Sequence, residues 1–249
     1  MLVTPEMLPN VVTLLYDTIL ENADELEELD RILGDGDHVV NLLRGLEVLK
    51  TKSGDLVAVD WPQAFQFIGM SLMSSVGGAS GSLYGTLFIK MGGALKESEL
   101  TTTRMADIFS QGVDAMKARG KSNVGEKTML DVLVPVAQCL VQMSAEGVER
   151  RTLLITVSKV AIDGVEATRE MVATKGRAAY LGGRTVGHID AGAKSSQLML
   201  CALTGFLAGD DYQPQRKLAV WTGWSHSVVS SESSSVSVIE QPAMSREVV

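Results

Sequence analysis

Apolar residues in this chain recur three and four positions apart in window after window and scarcely ever alternate, so the backbone has to coil into helices to bury them on one side. Leu8, Val11, Val12, Leu15 and Ile19 mark a first helix. Thr4-Pro5-Glu6 opens it and reads as an N-cap, a proline at the first helical position and an early acid. A second begins after Asp37, which is placed to cap it, and carries Leu42, Leu43, Leu46 and Leu49. A third starts at Asp60-Trp-Pro62 with Ala64, Phe65, Ile68 and Leu72 on one side, and a fourth follows the glycines at 77 to 81 with Leu83, Leu87 and Met91. The fifth opens at Thr101 to Thr103 and buries Met105, Ile108, Phe109, Val113 and Met116. The sixth, Thr128 to Met143, is apolar nearly all round, the mark of a central helix, with Pro135 expected to kink it. A seventh spans Val148 to Val172 and an eighth Ala193 to Leu207.

The expected fold is therefore all-α, with about eight helices of ordinary length. A hydrophobic fraction of 45% with only 5% aromatic residues favours the same class over an aromatic-rich sandwich. The helical domain is expected over residues 1–209. From Asp210 the periodicity decays and Ser225 to Ser237 is serine-heavy, so 210–249 reads as an extension, largely disordered, with Trp221 and Trp224 able to dock on the domain.

A net charge of −8 argues against a nucleic-acid partner, since nothing resembles a basic stripe, yet small anions are compatible if a metal and local donors carry them. Cys139 and Cys201 sit inside apolar periodic runs and read as small buried hydrophobes, which suits a reducing cytoplasm. The N-terminus does not read as a signal peptide, and no apolar run approaches the roughly 20 residues a membrane span needs.

The unusual residues fall in four loops, at 34 to 38, 77 to 82, 120 to 128 and 175 to 192. In the first, Asp30, Asp35 and Asp37 crowd three carboxylates into eight residues. Each like charge raises the cost of ionising its neighbours, and a hard divalent cation taking oxygen ligands removes that cost. Gly34 and Gly36 let the backbone turn sharply enough to aim Asp35 and Asp37 at one point. A solvated acidic surface suits Glu21, Asp24, Glu25, Glu27 and Glu28 better than these three, which lie among Leu29, Ile32, Leu33 and the glycines. An EF-hand opened by Asp35 fails because Leu46 holds its closing position.

Gly77-Gly-Ala-Ser-Gly81-Ser82 precedes a helix, presenting backbone N–H groups and two hydroxyls to an anion, although close helix packing also selects small residues. Gly120-Lys-Ser122 looks like the end of a Walker A loop, but Ala115 stands where that motif needs glycine, and a helix stands where it needs a strand. Thr128 reads as an N-cap, and Met129 as core or as a soft surface for a base. Lys175, Arg177 and Arg184 supply cations, each equally readable as surface. For His38 and His188 a general base, a phosphate partner and a structural histidine are all open, His38 being favoured by its neighbour Asp37.

Together these strings resemble the nucleotide-binding L subunit of dihydroxyacetone kinase. They are Leu29-Asp30 with Gly34-Asp-Gly-Asp-His38 and Asn41, then Gly77 to Gly81 with Leu83-Tyr-Gly-Thr-Leu-Phe88. Gly125-Glu-Lys-Thr-Met-Leu-Asp131, Lys175 to Gly182 and Val186 to Ala193 complete the set. The resemblance runs in order to about residue 209 and implies a barrel of eight antiparallel helices with ADP or ATP held at one end through two Mg²⁺ ions. It implies Asp30, Asp35 and Asp37 as metal ligands, His38, Val39, Val40, Asn41, Ala79 and Ser80 around the phosphates, and Gly120 and Met129 beside adenine. Arg177 would reach the phosphates and Asp190, Ala191 and Gly192 would close over the nucleotide.

The acceptor ketose would sit on a separate K subunit. With no K domain in this chain, ADP recharged in place by a phosphohistidine on an M subunit, with phosphoenolpyruvate as ultimate donor, is favoured over direct use of ATP. A homo-oligomer is expected. Val39 where the family has glycine and Ala191 where it has proline are departures that would crowd the phosphates and loosen the loop, and they admit a related acceptor such as erythrulose. A nucleotide-sensing module that contacts a transcriptional regulator is the alternative from another class.

Overall fold

The computed structural model of the chain describes residues 4–95 and 100–209, and no strand occurs among them. The expected serine-rich extension, with Trp221 and Trp224, lies outside the described residues. The described residues form α1 (Leu8–Glu21), α2 (Ala23–Leu33), α3 (His38–Thr51), α4 (Trp61–Ser75), α5 (Gly78–Ala94), α6 (Thr102–Gly120), α7 (Leu130–Ala145), α8 (Arg150–Ala167) and α9 (Ala191–Ala208), with short 3₁₀ turns between them.

Local chemistry sets several of these starts. The Asp60 carboxylate accepts the Gln63 N–H at 2.9 Å and the Thr101 hydroxyl accepts the Arg104 N–H at 3.2 Å, satisfying donors that the first turn leaves free. Asp37 precedes α3 without capping it: its backbone is already helical, so its side chain is turned away from the first-turn amides. Thr4 does not cap either, its hydroxyl donating to Glu6 at 3.1 Å, and Pro5 stands in a 3₁₀ turn ahead of α1. The helix expected to run to Val172 stops at Ala167 and gives way to a 3₁₀ turn over Thr168–Glu170.

The acidic run that reads as solvated surface is itself a helix, α2. Leu26 and Leu33 are buried and Leu29 packs against Val132 and its neighbours, so spacings of three and four bind one face to the domain while the acids ride on the other. Glu25 is not free in solvent; it pairs with the buried Lys194 of α9 at 3.2 Å.

The other eight helices pack in sequence, α1 on α3, α3 on α4 and so on to α9, and α9 returns to α1, closing a ring. The first turns of α3, α5, α7 and α9 line one cavity, which puts them at one end. Of the four buried apolar groups among the described residues, two are large. Val12, Trp61, Phe65, Leu72, Leu87, Ile108 and Met116 fill one side, with the Trp61 and Phe65 rings stacked at 5.3 Å. Val136, Leu153, Val157 and Ala161 fill the other. Helix α7 supplies Leu133 to the first and Val132 to the second, which is why it is apolar nearly all round.

Candidate functional site

At the end where α3, α5, α7 and α9 begin lies a cavity of about 380 Å³. Aligned peptide dipoles give helix N-termini partial positive charge, so this end attracts anions although the chain as a whole is acidic. All four loops that hold the unusual residues contribute to its wall.

Asp30 comes from the last turn of α2, Asp35 and Asp37 from the loop to α3, and one carboxylate oxygen of each lies within 4.8 Å of the others at the cavity's edge. The His38 N–H donates to Asp30 at 3.1 Å, tying the start of α3 to the end of α2. At Gly34 any side chain would collide, since a Cβ there would lie 2.3 Å from Asp30 Oδ1. Three hard oxygen donors at this separation suit a divalent cation such as Mg²⁺. Arg177 reaches across from the loop before α9 and pairs with Asp35 at 2.8 Å.

The glycine loop forms the start of α5. A Cβ at Gly77 would meet the Asn41 amide oxygen at 2.4 Å, so glycine lets this turn lie directly on α3. His38 sits between three first turns: Nε2 is 2.9 Å from the Ser195 hydroxyl and Nδ1 is 3.4 Å from that of Ser80. The Ser195 hydroxyl also has the Gly192 carbonyl as an acceptor at 3.1 Å, an arrangement that fits a ring proton on Nε2 with Nδ1 accepting from Ser80. Burial holds His38 below the usual histidine range against the opposing pull of Asp30 and Asp37, in keeping with a neutral ring. Both nitrogens thus have protein partners, and His38 braces α3, α5 and α9 together.

Asp190 accepts the Ala193 N–H at 2.8 Å and so caps α9. Desolvation pushes its carboxyl up to about 7, with Asp131 and Asp30 adding to the rise and the Ala193 N–H and Lys127 opposing it. Ala191 occupies the first helical position, where a proline would also fit, and Asp190 fixes the loop without one. Opposite lie Gly120 and Met129, the latter with its methyl against Gly192.

Of the residues singled out in the sequence, Asp30, Asp35, Asp37, His38, Asn41, Ala79, Ser80, Gly120, Met129, Arg177, Asp190, Ala191 and Gly192 all line this one cavity. Val39 and Val40 do not. Val39 is buried among Ile19, Leu26, Leu42 and Leu46, so its side chain does not crowd the cavity, and that of Val40 faces solvent. His188 is also absent from the wall, although its carbonyl is engaged by Lys127.

Lys127 and Asp131 line or support the cavity without a signal of their own in the sequence. Asp131, buried at the start of α7, accepts the N–H groups of Gly125 at 2.5 Å and Thr128 at 2.7 Å and thereby shapes the loop that carries Met129. Their one signal was membership of the string from Gly125 to Asp131.

The DAK2 domain family matches residues 32–205. The chain is 39% identical over 187 residues to a Listeria innocua protein named as the ADP-binding subunit DhaL of a PEP-dependent dihydroxyacetone kinase, covering 75% of this chain and 89% of that protein. It is 38% identical to the subunit of the same name from Escherichia coli, covering 77% and 91%. The crystal structure of the dihydroxyacetone kinase from C. freundii in complex with AMP-PNP and Mg²⁺ shares the fold, with a TM-score of 0.65 at 22% identity over 83% of this chain; the chain spans about a third, 35%, of that enzyme. The chain belongs to the DAK2-domain family, with the ADP-binding L subunits of dihydroxyacetone kinases among its relatives.

Proposed function

We propose that this chain is the nucleotide-binding subunit of a dihydroxyacetone kinase, holding ADP or ATP with two Mg²⁺ ions in the cavity between α3, α5, α7 and α9. The observation that carries this reading is the convergence of Asp30, Asp35 and Asp37 within 4.8 Å at the edge of a cavity onto which four helix N-termini open. Cation-binding oxygens and anion-attracting helix ends side by side fit a metal-bound di- or triphosphate.

Phosphoryl transfer asks a protein for positioning and charge neutralisation rather than covalent help. Asp30, Asp35 and Asp37 would hold Mg²⁺, which when bound offsets the phosphate charge. The first-turn amides of α3 at Val39 and Val40, and of α5 at Ala79 and Ser80, would orient phosphate oxygens, with the Asn41 side chain beside them. Arg177 would add a planar donor to the γ-phosphoryl group. Gly120 and Met129 would border adenine and Asp190 to Gly192 would close the opposite wall, keeping water from the phosphates.

The hydroxyl nucleophile would come from the ketose on a separate K subunit, and ADP would be recharged in place by the phosphohistidine of an M subunit. The relatives at 38–39% identity carry PEP-dependent names, whereas an L-erythrulose 1-kinase of Mycolicibacterium smegmatis is 30% identical, which supports the phosphoenolpyruvate route and dihydroxyacetone as acceptor. Val39, buried away from the cavity, gives no ground for a different sugar.

Titration calorimetry with ADP tests the core of this reading. Binding should require Mg²⁺, vanish in EDTA, and be lost in Asp35→Ala and Asp37→Ala. ADP binding that ignores both EDTA and the two substitutions would refute it.

A further inference from the structure

Lys127 combines two costs at one position. Its φ of +60° lies in the left-handed region that L side chains seldom adopt, and its side chain is 1% exposed, which for an ammonium group means giving up nearly all of its hydration. Glycine or asparagine would relieve the first cost and any apolar residue the second. A lysine kept there implies that the ammonium does something the fold otherwise lacks.

What it does is visible in its partners. Nζ donates to the carbonyl of Thr168 at 2.5 Å and to that of His188. Thr168 ends α8, and its hydroxyl accepts the Asp190 N–H at 3.1 Å. Asp190 in turn caps α9. One ammonium therefore joins the loop before α7, the end of α8 and the loop before α9, none of them adjacent in sequence. Two residues beyond Lys127 is Met129 and two beyond His188 is Asp190, so the joint lies directly behind the two facing walls of the cavity, where the Met129 methyl comes within 3.3 Å of a Cβ placed on Gly192. Asp30, Asp35, Asp37 and the start of α5 take no part in these bonds.

We propose that Lys127 is a positioning residue that sets the spacing between the Met129 wall and the Ala191–Gly192 wall, and through it the affinity for the nucleoside half of the ligand rather than for its phosphates. The inference rests on the nucleotide reading above and adds a separable determinant to it. Burial pushes the Lys127 ammonium below the usual lysine range, with the nearby Arg169 adding to the shift and Asp190 and Asp131 opposing it.

The test compares two ligands in the presence of Mg²⁺, ADP and inorganic pyrophosphate, by calorimetry on the full chain. Lys127→Met keeps the length and apolar stem of the side chain but removes the ammonium. ADP affinity should fall on the order of tenfold or more, the scale seen when a supporting hydrogen bond behind a ligand site is removed, while pyrophosphate affinity stays within a factor of about two. A general weakening of the fold would lower both together, and a ratio of ADP to pyrophosphate affinity unchanged from the wild type overturns the proposal. If Lys127→Met does not fold, the same ratio in Thr168→Val decides: it should fall because the link to Asp190 is cut, and an unchanged ratio overturns the proposal equally. A wild-type chain that binds ADP no better than pyrophosphate would instead sink the nucleotide reading itself.

Discussion

Two groups of charged residues border the same cavity and hold their charge in opposite ways. Asp30, Asp35 and Asp37 come from one short stretch, two of them exposed, and Arg177 pairs with Asp35 across the cavity mouth. Lys127, Asp131 and Asp190 come from the loops before α7 and α9 and are compensated within the protein, the carboxylates by backbone N–H groups and the ammonium by carbonyls. In the proposed function the outer group meets the ligand, and its changes should appear in binding more than in folding. The inner group holds up the walls, and its loss should appear first in folding.

Asp131→Ala tests that division most severely. It strands the N–H groups of Gly125 and Thr128 beside a buried gap, and losing two hydrogen bonds to a charged acceptor should cost about 3 kcal/mol. Urea denaturation monitored by helical circular dichroism reads this directly; a loss under about 1 kcal/mol would mean that the loop before α7 holds its shape without Asp131.

Gly34→Ala probes the outer group without deleting a carboxylate. The added methyl would lie 2.3 Å from Asp30 Oδ1, so Asp30 must swing out of the trio, and Mg²⁺-dependent ADP affinity should fall about tenfold while stability moves by less than about 1 kcal/mol. Unchanged affinity would show that Asp30 is dispensable to the cation site.

The same contrast explains what could be read in the chain. Asp30, Asp35 and Asp37 are neighbours in sequence, and a local cluster of like charge announces itself; so does the glycine run at the start of α5. Helices α1 and α3 to α9 are legible from their apolar spacing, although α8 ends at Ala167 rather than Val172. Helix α2 was not, because Leu26, Leu29 and Leu33 are outnumbered by acids and the run looks like surface until α9 is packed against it. Lys127 was illegible for a different reason. Its partners are carbonyls at positions 168 and 188, which carry no side-chain signature and approach only when α8 and α9 close the ring. For the same reason Val39 reads as a neighbour of the phosphates from its place after His38, whereas helix geometry turns its side chain toward Leu26.

Asp190 places the inner network on a pH axis. Its folded-state carboxyl lies at about 7, well above the ordinary aspartate value near 4, so between these limits the folded chain holds a proton that the unfolded chain has released. Stability should therefore fall as pH rises from about 4 to about 7. Asp190→Asn keeps an N-cap acceptor but carries no titrating group. Relative to the wild type it should lose about 1 kcal/mol of the drop between pH 5 and 7, once partial exposure is allowed for. Parallel slopes in the two proteins would mean that Asp190 titrates as an ordinary aspartate despite its place in the inner network.

The smallest effect belongs to Arg177, and it marks the boundary between the two groups. Its pair with Asp35 measures 2.8 Å, but the arginine side chain is 67% exposed, so water screens the attraction and ordering a long side chain consumes most of what is left. Arg177→Ala should shift the urea midpoint by the equivalent of less than about 0.5 kcal/mol, with any shift fading in salt, while ADP affinity falls because a phosphate donor has gone. A stability loss above about 1 kcal/mol that persists in high salt would assign Arg177 to the walls, and the mouth of the cavity would then be built from both groups rather than from the carboxylates alone.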